Sequence, residues 1–142
     1  MFSREEAKKL REEFWINFGK NYPRKWVLYD TRIKEVQLKF NFDSNDAQVS
    51  LDISSPDDVI RAYYYEKMCS LKNILLTEYL PNAIFEEHYD LPEGKEISRI
   101  YTELEGVNIY RKTDWPGVQE FLNDQMQLLE SFFLEYKDII DS

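Results

Sequence analysis

"EVQLKFNFDSNDAQVSLDIS", residues 35–54, is the stretch that decides the fold class. Val36, Leu38, Phe40 and Phe42 fall on one side of an extended chain, and Gln37, Lys39 and Asn41 fall on the other. That period of two marks a strand buried on one face. Ala47, Val49, Leu51 and Ile53 repeat the pattern, and Asp43-Ser44-Asn45-Asp46 between the runs is turn chemistry. Pairing Phe42 with Ala47 across the turn brings both apolar sets to one face. The spacing therefore predicts an antiparallel hairpin with one buried and one solvated face.

Upstream, "WVLYDT" (26–31) has strand composition and a break at Asp30-Thr31, and is expected as another strand. Before it, Ser3 and Glu6 have capping-box spacing, and Phe2 and Ala7 stand where a hydrophobic staple would. Ala7, Leu10, Phe14 and Phe18 recur at helical spacing, so a helix is expected over 4–20, ended by Gly19 and Pro23. Downstream, Ser55-Pro56-Asp57-Asp58 predicts a second helix capped by Ser55, with Ile60, Tyr64, Met68, Leu71 and Leu75 as its apolar stripe and Pro81 as its end. Cys69 within this pattern reads as a small core residue. Strands follow at 83–89 and 96–104, then an extended piece near 107–110 and a last helix opened by Thr113-Asp114-Trp115-Pro116 and reaching about Asp138. The class is α+β: a two-layer domain spanning 1–142, with an antiparallel sheet of about five strands, helices on one face, and the order α-βββ-α-ββ-α.

The chain of 142 residues is 43% apolar, has only four Gly and five Pro, and shows no apolar run near the ~20 residues a membrane helix needs. "MFSREEAKKLREEF" has no continuous apolar segment and no small-residue cleavage site, so no secretory signal is read. A single cysteine excludes an intrachain disulfide and suits a reducing cytoplasm. The net charge is −9, yet residues 1–40 carry ten Lys/Arg against six Asp/Glu. The acidic remainder repels a phosphate backbone at long range. A basic face from Lys20, Arg24, Lys25, Arg32, Lys34 and Lys39 is the only local exception.

Several residues invite a chemical reading. In "DLPEGKEISRIY" (90–101), Asp90 followed by Glu93-x-Lys95 is similar to the metal-holding triad of restriction-type nucleases. That triad needs strand geometry, and here Pro92 and Gly94 place it in a turn. A better-placed polar set is Asp52 with Glu86 or Glu87, and with Lys39 and Arg99 on the same side; its bland counterpart is the solvated face of a one-sided sheet. His88, the lone histidine, lacks the companions of a zinc site and reads as a surface strand residue. No glycine-rich phosphate loop is present. Tyr63-Tyr64-Tyr65 and Trp115 offer aromatic side chains for packing or for a partner, and the wide apolar face of the last helix suits packing or a homodimer.

Four stretches together resemble the domain of unknown function 4268 family: "REEFWINFGK" (11–20), "GKEISRIY" (94–101), "GVNIYRKTDWP" (106–116) and "LLESFFLEY" (128–136). The resemblance covers essentially the whole chain and implies a bacterial, Bacteroidetes-like stand-alone form with an α+β fold. It supplies no catalytic residues. Longer relatives join this domain to a restriction-endonuclease-like one, which hints at nucleic-acid processing by company only. The expectation is a non-enzymatic interaction module without metal or cofactor, docking a protein partner or itself, with Lys39, Asp52, Glu86, Arg99 and Trp115 as candidate contacts. The alternatives are an accessory nucleic-acid protein using the basic face, and a metal-dependent nuclease using Asp52 with Glu86 or Glu87.

Overall fold

The computed structural model describes residues 2–142. The decisive stretch folds as read. β1 (Val36–Phe42) pairs antiparallel with β2 (Asp46–Ile53), Phe42 opposite Ala47. Asp43 closes the turn, its Oδ1 accepting from the amides of Asn45 (2.8 Å) and Asp46 (3.0 Å). β3 (Ile84–Asp90) and β4 (Glu96–Glu105) form a second hairpin, and β4 pairs with β2. The sheet has four antiparallel strands in the order β1-β2-β4-β3.

Four helices complete the α+β fold. α1 (Arg4–Asn21) begins with the expected capping box of Ser3 and Glu6. α2 (Asp58–Ser70) and α3 (Lys72–Glu78) are separated by Leu71, and α4 (Trp115–Ile140) follows a 3-10 turn at Lys112–Asp114. One core joins Phe14 and Phe18 of α1, Met68 of α2, Leu75 of α3 and the inner stripe of α4 to a single sheet face. That face comprises Val36, Leu38 and Phe42 of β1, Ala47, Val49, Leu51 and Ile53 of β2, and Ile100 of β4. Phe14 links three elements, with its ring 4.8 Å from Phe42 and 5.3 Å from Trp115. Burying side chains of this size supplies about 1.5–3 kcal/mol each.

Five expectations are corrected. The run at 26–31 is not a strand, so the sheet has four strands rather than five. Leu28 and Arg32 adopt φ of 44° and 66°, outside extended backbone. The Val27 amide donates to the Glu130 carboxylate on α4 (2.8 Å), and Thr31 Oγ1 donates to the carbonyls of Ile33 and Val36. Leu28 O accepts from Leu38 N and so touches the β1 edge in ladder fashion. The piece at 107–110 is likewise a turn, tied by Asn108 N to Asp114. α2 is capped by Asp57, whose Oδ1 accepts from Val59 and Ile60, while Ser55 Oγ accepts from Asp57 N and stays outside the helix. The single helix expected up to Pro81 breaks at Leu71, where Ser70 Oγ bonds back to the Lys67 carbonyl, a contact that bends helices. Cys69 is exposed, because it follows the buried Met68 and so faces away from the sheet.

Candidate functional site: the polar face of the sheet

On β2, Asp46, Gln48, Ser50 and Asp52 alternate with the core residues and point away from the helices. Their register partners share that face: Glu105, Glu103, Tyr101 and Arg99 on β4, with Gln48, Ser50 and Asp52 opposite Asn41, Lys39 and Gln37 on β1. Gln48, Ser50, Asp52, Arg99 and Tyr101 are nonetheless buried. This corrects the expectation of a solvated face.

The cause is a β-bulge. β3 pairs Glu86 with Arg99 and then Tyr89 with Ile97, so Glu87 and His88 stand against Ser98 alone. The extra residue shifts the side-chain phase and bends the strand. Tyr89 is thereby delivered onto the polar face, its ring 4.4 Å from the Arg99 guanidinium carbon. Beyond it, the β3–β4 turn folds back across the sheet. Leu91 and Pro92 share a cavity of about 160 Å³ with Asn41, Asp43, Asp46, Gln48, Tyr89 and Arg99. Gly94 at φ 89° closes this turn, which confirms Glu93 and Lys95 as turn residues.

Beneath this roof, Arg99 grips Asp52 with two parallel bonds, Nε to Oδ1 at 2.8 Å and NH2 to Oδ2 at 2.9 Å. Its remaining arm donates to Gln48 Oε1 at 2.9 Å, and Lys39 Nζ stands 3.9 Å from Asp52. Burial alone lowers the Arg99 pKa; the hydrogen bonds and charge of Asp52 more than offset this, and it is raised. Glu86 accepts from the Tyr101 hydroxyl at 2.5 Å, and burial followed by that carboxylate drives the Tyr101 pKa up. Lys39, Asp52, Glu86 and Arg99 are thus brought together. Glu87 stands in the bulge beside His88. Trp115 is apart from them, buried in the core on the helix side, its Nε1 donating to Ile109 O at 2.8 Å.

The sequence reading passed over Gln48, Tyr89 and Tyr101, and over the rim. Asp43, Asp46, Glu103 and Glu105 converge at the β1–β2 turn end of the face. Among the described residues none of the four has a Lys, Arg or His within 4.0 Å. Burial first, then a hydrogen bond with Glu103 and the charges of Asp43, Glu103 and Glu105, push Asp46 up to about 7. The signal was available as four acids flanking two paired strand ends.

Asp52 is held at both oxygens by Arg99, and among the described residues no three His, Cys, Asp or Glu side chains are grouped to hold a cation. The basic face of the first forty residues is partly neutralised: Arg24 pairs with Glu130 (2.5 Å), Arg32 with Asp30 (3.0 Å), and Lys39 reaches Asp52. Among the described residues no helix is long and apolar enough to cross a membrane.

No curated protein and no solved structure matches the chain. One family model does, over residues 10–137, described as a domain of unknown function. Its span takes in α1, both hairpins and nearly all of α4, and the chain therefore belongs to the DUF4268 family.

Proposed function

We propose that the protein is a non-enzymatic docking module whose polar sheet face receives a basic segment of a protein partner. The observation that carries this reading is the rim of Asp43, Asp46, Glu103 and Glu105, none of which has a Lys, Arg or His of the described residues within 4.0 Å. Burial and the hydrogen bond with Glu103 raise the Asp46 pKa first, and the charges of Asp43, Glu103 and Glu105 add to the rise, so the rim carries unrelieved like-charge repulsion. A lysine- or arginine-bearing segment relieves it and gains electrostatic complementarity. The groups behind the rim are already matched to one another, Asp52 to Arg99 and Glu86 to Tyr101, and so serve as a rigid floor.

The test is a titration with a short oligolysine peptide at low salt. Two charge-matched variants serve as comparison, Asp43→Asn/Asp46→Asn/Glu103→Gln on the rim and Glu5→Gln/Glu12→Gln/Asp138→Asn elsewhere. The reading expects binding to be lost in the first and kept in the second. Equal loss in both would reduce the effect to net charge and sink the proposal, as would the absence of binding to the unaltered protein.

A further inference from the structure

A second charged crevice lies between the start of α2 and the β3–β4 turn. It is a cavity of about 550 Å³ lined by Ser55, Pro56, Asp58, Arg61, Lys95 and Glu96. A neighbouring cavity of about 240 Å³ shares Arg61 and Asp58 and adds Glu87, His88 and Ser98. The larger volume is in the range of small-molecule sites, about 300–1,000 Å³, and the smaller one extends it.

Arg61 at its centre is buried, yet it is held quite differently from Arg99. One arm, NH1, donates to the Ser55 carbonyl (2.8 Å). The other, NH2, donates to Asp58 Oδ1 and to Glu96 Oε2, both at 2.6 Å. Both carboxylates crowd one nitrogen, and neither forms the two-bond fork that guanidinium favours. Asp58 is displaceable, with 86% of its side chain exposed, and released into water it still sits favourably in the first turn of α2. Glu96 has an alternative partner already in place, His88 Nδ1 at 3.0 Å from the same oxygen.

Two further donors line the larger cavity. Lys95 is exposed and has no carboxylate within 4.0 Å among the described residues. Ser55 is buried; its Oγ accepts from Asp57 N, and its own proton makes no hydrogen bond to the described residues. A guanidinium, an ammonium and a hydroxyl around one cavity are the donor set of an oxyanion site. Among the described residues no aromatic side chain lines it, which favours a ligand held by its oxyanion rather than by a stacked base.

We propose that this crevice binds the phosphate group of a small phosphorylated molecule, held by Ser55, Arg61 and Lys95, with Asp58 as the carboxylate it displaces. The proposal is independent of the docking face, which lies on other residues.

Inorganic phosphate is the probe, titrated against chloride at matched ionic strength and followed through the backbone amide resonances. The expected result is saturable shifts at Ser55, Arg61 and Lys95. Lys95→Ala should weaken binding about threefold, the order of one exposed charge contact. Asp58→Asn should tighten it about two- to fivefold, because a surface ion pair no longer has to be broken. Both substituted residues are exposed, so neither change endangers the fold. Shifts that do not saturate overturn the proposal. So does saturable binding that is no tighter in Asp58→Asn, since a purely structural Arg61–Asp58 pair predicts no gain in affinity.

Discussion

On β2, Val49, Leu51 and Ile53 are sealed against α4 and its neighbours, while Gln48, Ser50 and Asp52, interleaved with them, face the side that no helix covers. Both sets are buried. The helix side achieves this by matching apolar shapes. The other side achieves it with a bulge, a folded-back turn and a charge pair that fills its own space. Trimming an apolar group costs its lost burial plus a cavity, and that cost shrinks where the surroundings can collapse. A broken buried ion pair has no such relief, because removing one partner leaves the other charge without compensation.

Arg99→Ala is therefore expected to have the largest effect, a loss of about 3–5 kcal/mol in urea denaturation, since Asp52 stays buried and unpaired. Converting the pair together, Arg99→Met with Asp52→Leu, should recover most of that loss. If the single change costs under about 1 kcal/mol, the polar face is open to water and the contrast fails. On the helix side, Leu51→Ala should cost about 2–5 kcal/mol by the same assay, the range for a buried leucine truncation. The two faces also hold one orphan hydroxyl each, Ser50 Oγ on the polar side and Thr102 Oγ1 on the core side. Ser50→Ala and Thr102→Val should each be neutral or stabilising by about 1 kcal/mol, because a buried group without a partner is removed.

The smallest effect is pH-dependent. Asp46 has a folded pKa near 7, above its ordinary 3.8, so the native state binds the proton more tightly than the unfolded chain. Stability from this group is complete below about 4 and falls as pH rises through 7. Asp46→Asn should flatten that decline. His88, raised by its hydrogen bond to Glu96, acts with the same sign, so the comparison belongs in a His88→Gln background. An unchanged slope in Asp46→Asn would mean that the rim is fully solvated and its repulsion screened.

Much of this architecture was legible in the residues. The β1–β2 register followed from alternation alone, and the Ser3–Glu6 cap and the Glu93–Lys95 turn followed from local chemistry. Co-facing of Lys39, Asp52, Glu86 and Arg99 followed from period two. What could not be read were non-local effects. Residues 26–31 have strand composition, but they are tied by Val27 N to Glu130, 103 positions away, and by Thr31 to the carbonyls of Ile33 and Val36. The bulge at Glu87-His88 has no glycine or proline to announce it, yet it alone decides that Tyr89 rather than His88 covers Arg99. Trp115 looked available at a helix start and is instead part of the core, because the chain before it wraps back to accept its indole proton.

The same bulge bears on how the molecule behaves in a crowd. β3 is an outer strand, and a straight, apolar outer strand is a template for edge-to-edge aggregation. Here the strand is kinked in its middle and carries Glu86, Glu87, His88 and Asp90. At the opposite border, the Leu28 carbonyl already occupies the Leu38 amide of β1. The kinked, charged β3 border and the occupied Leu38 amide at the β1 border each interrupt the run of backbone groups on which a visiting strand would template, and so work against runaway sheet growth.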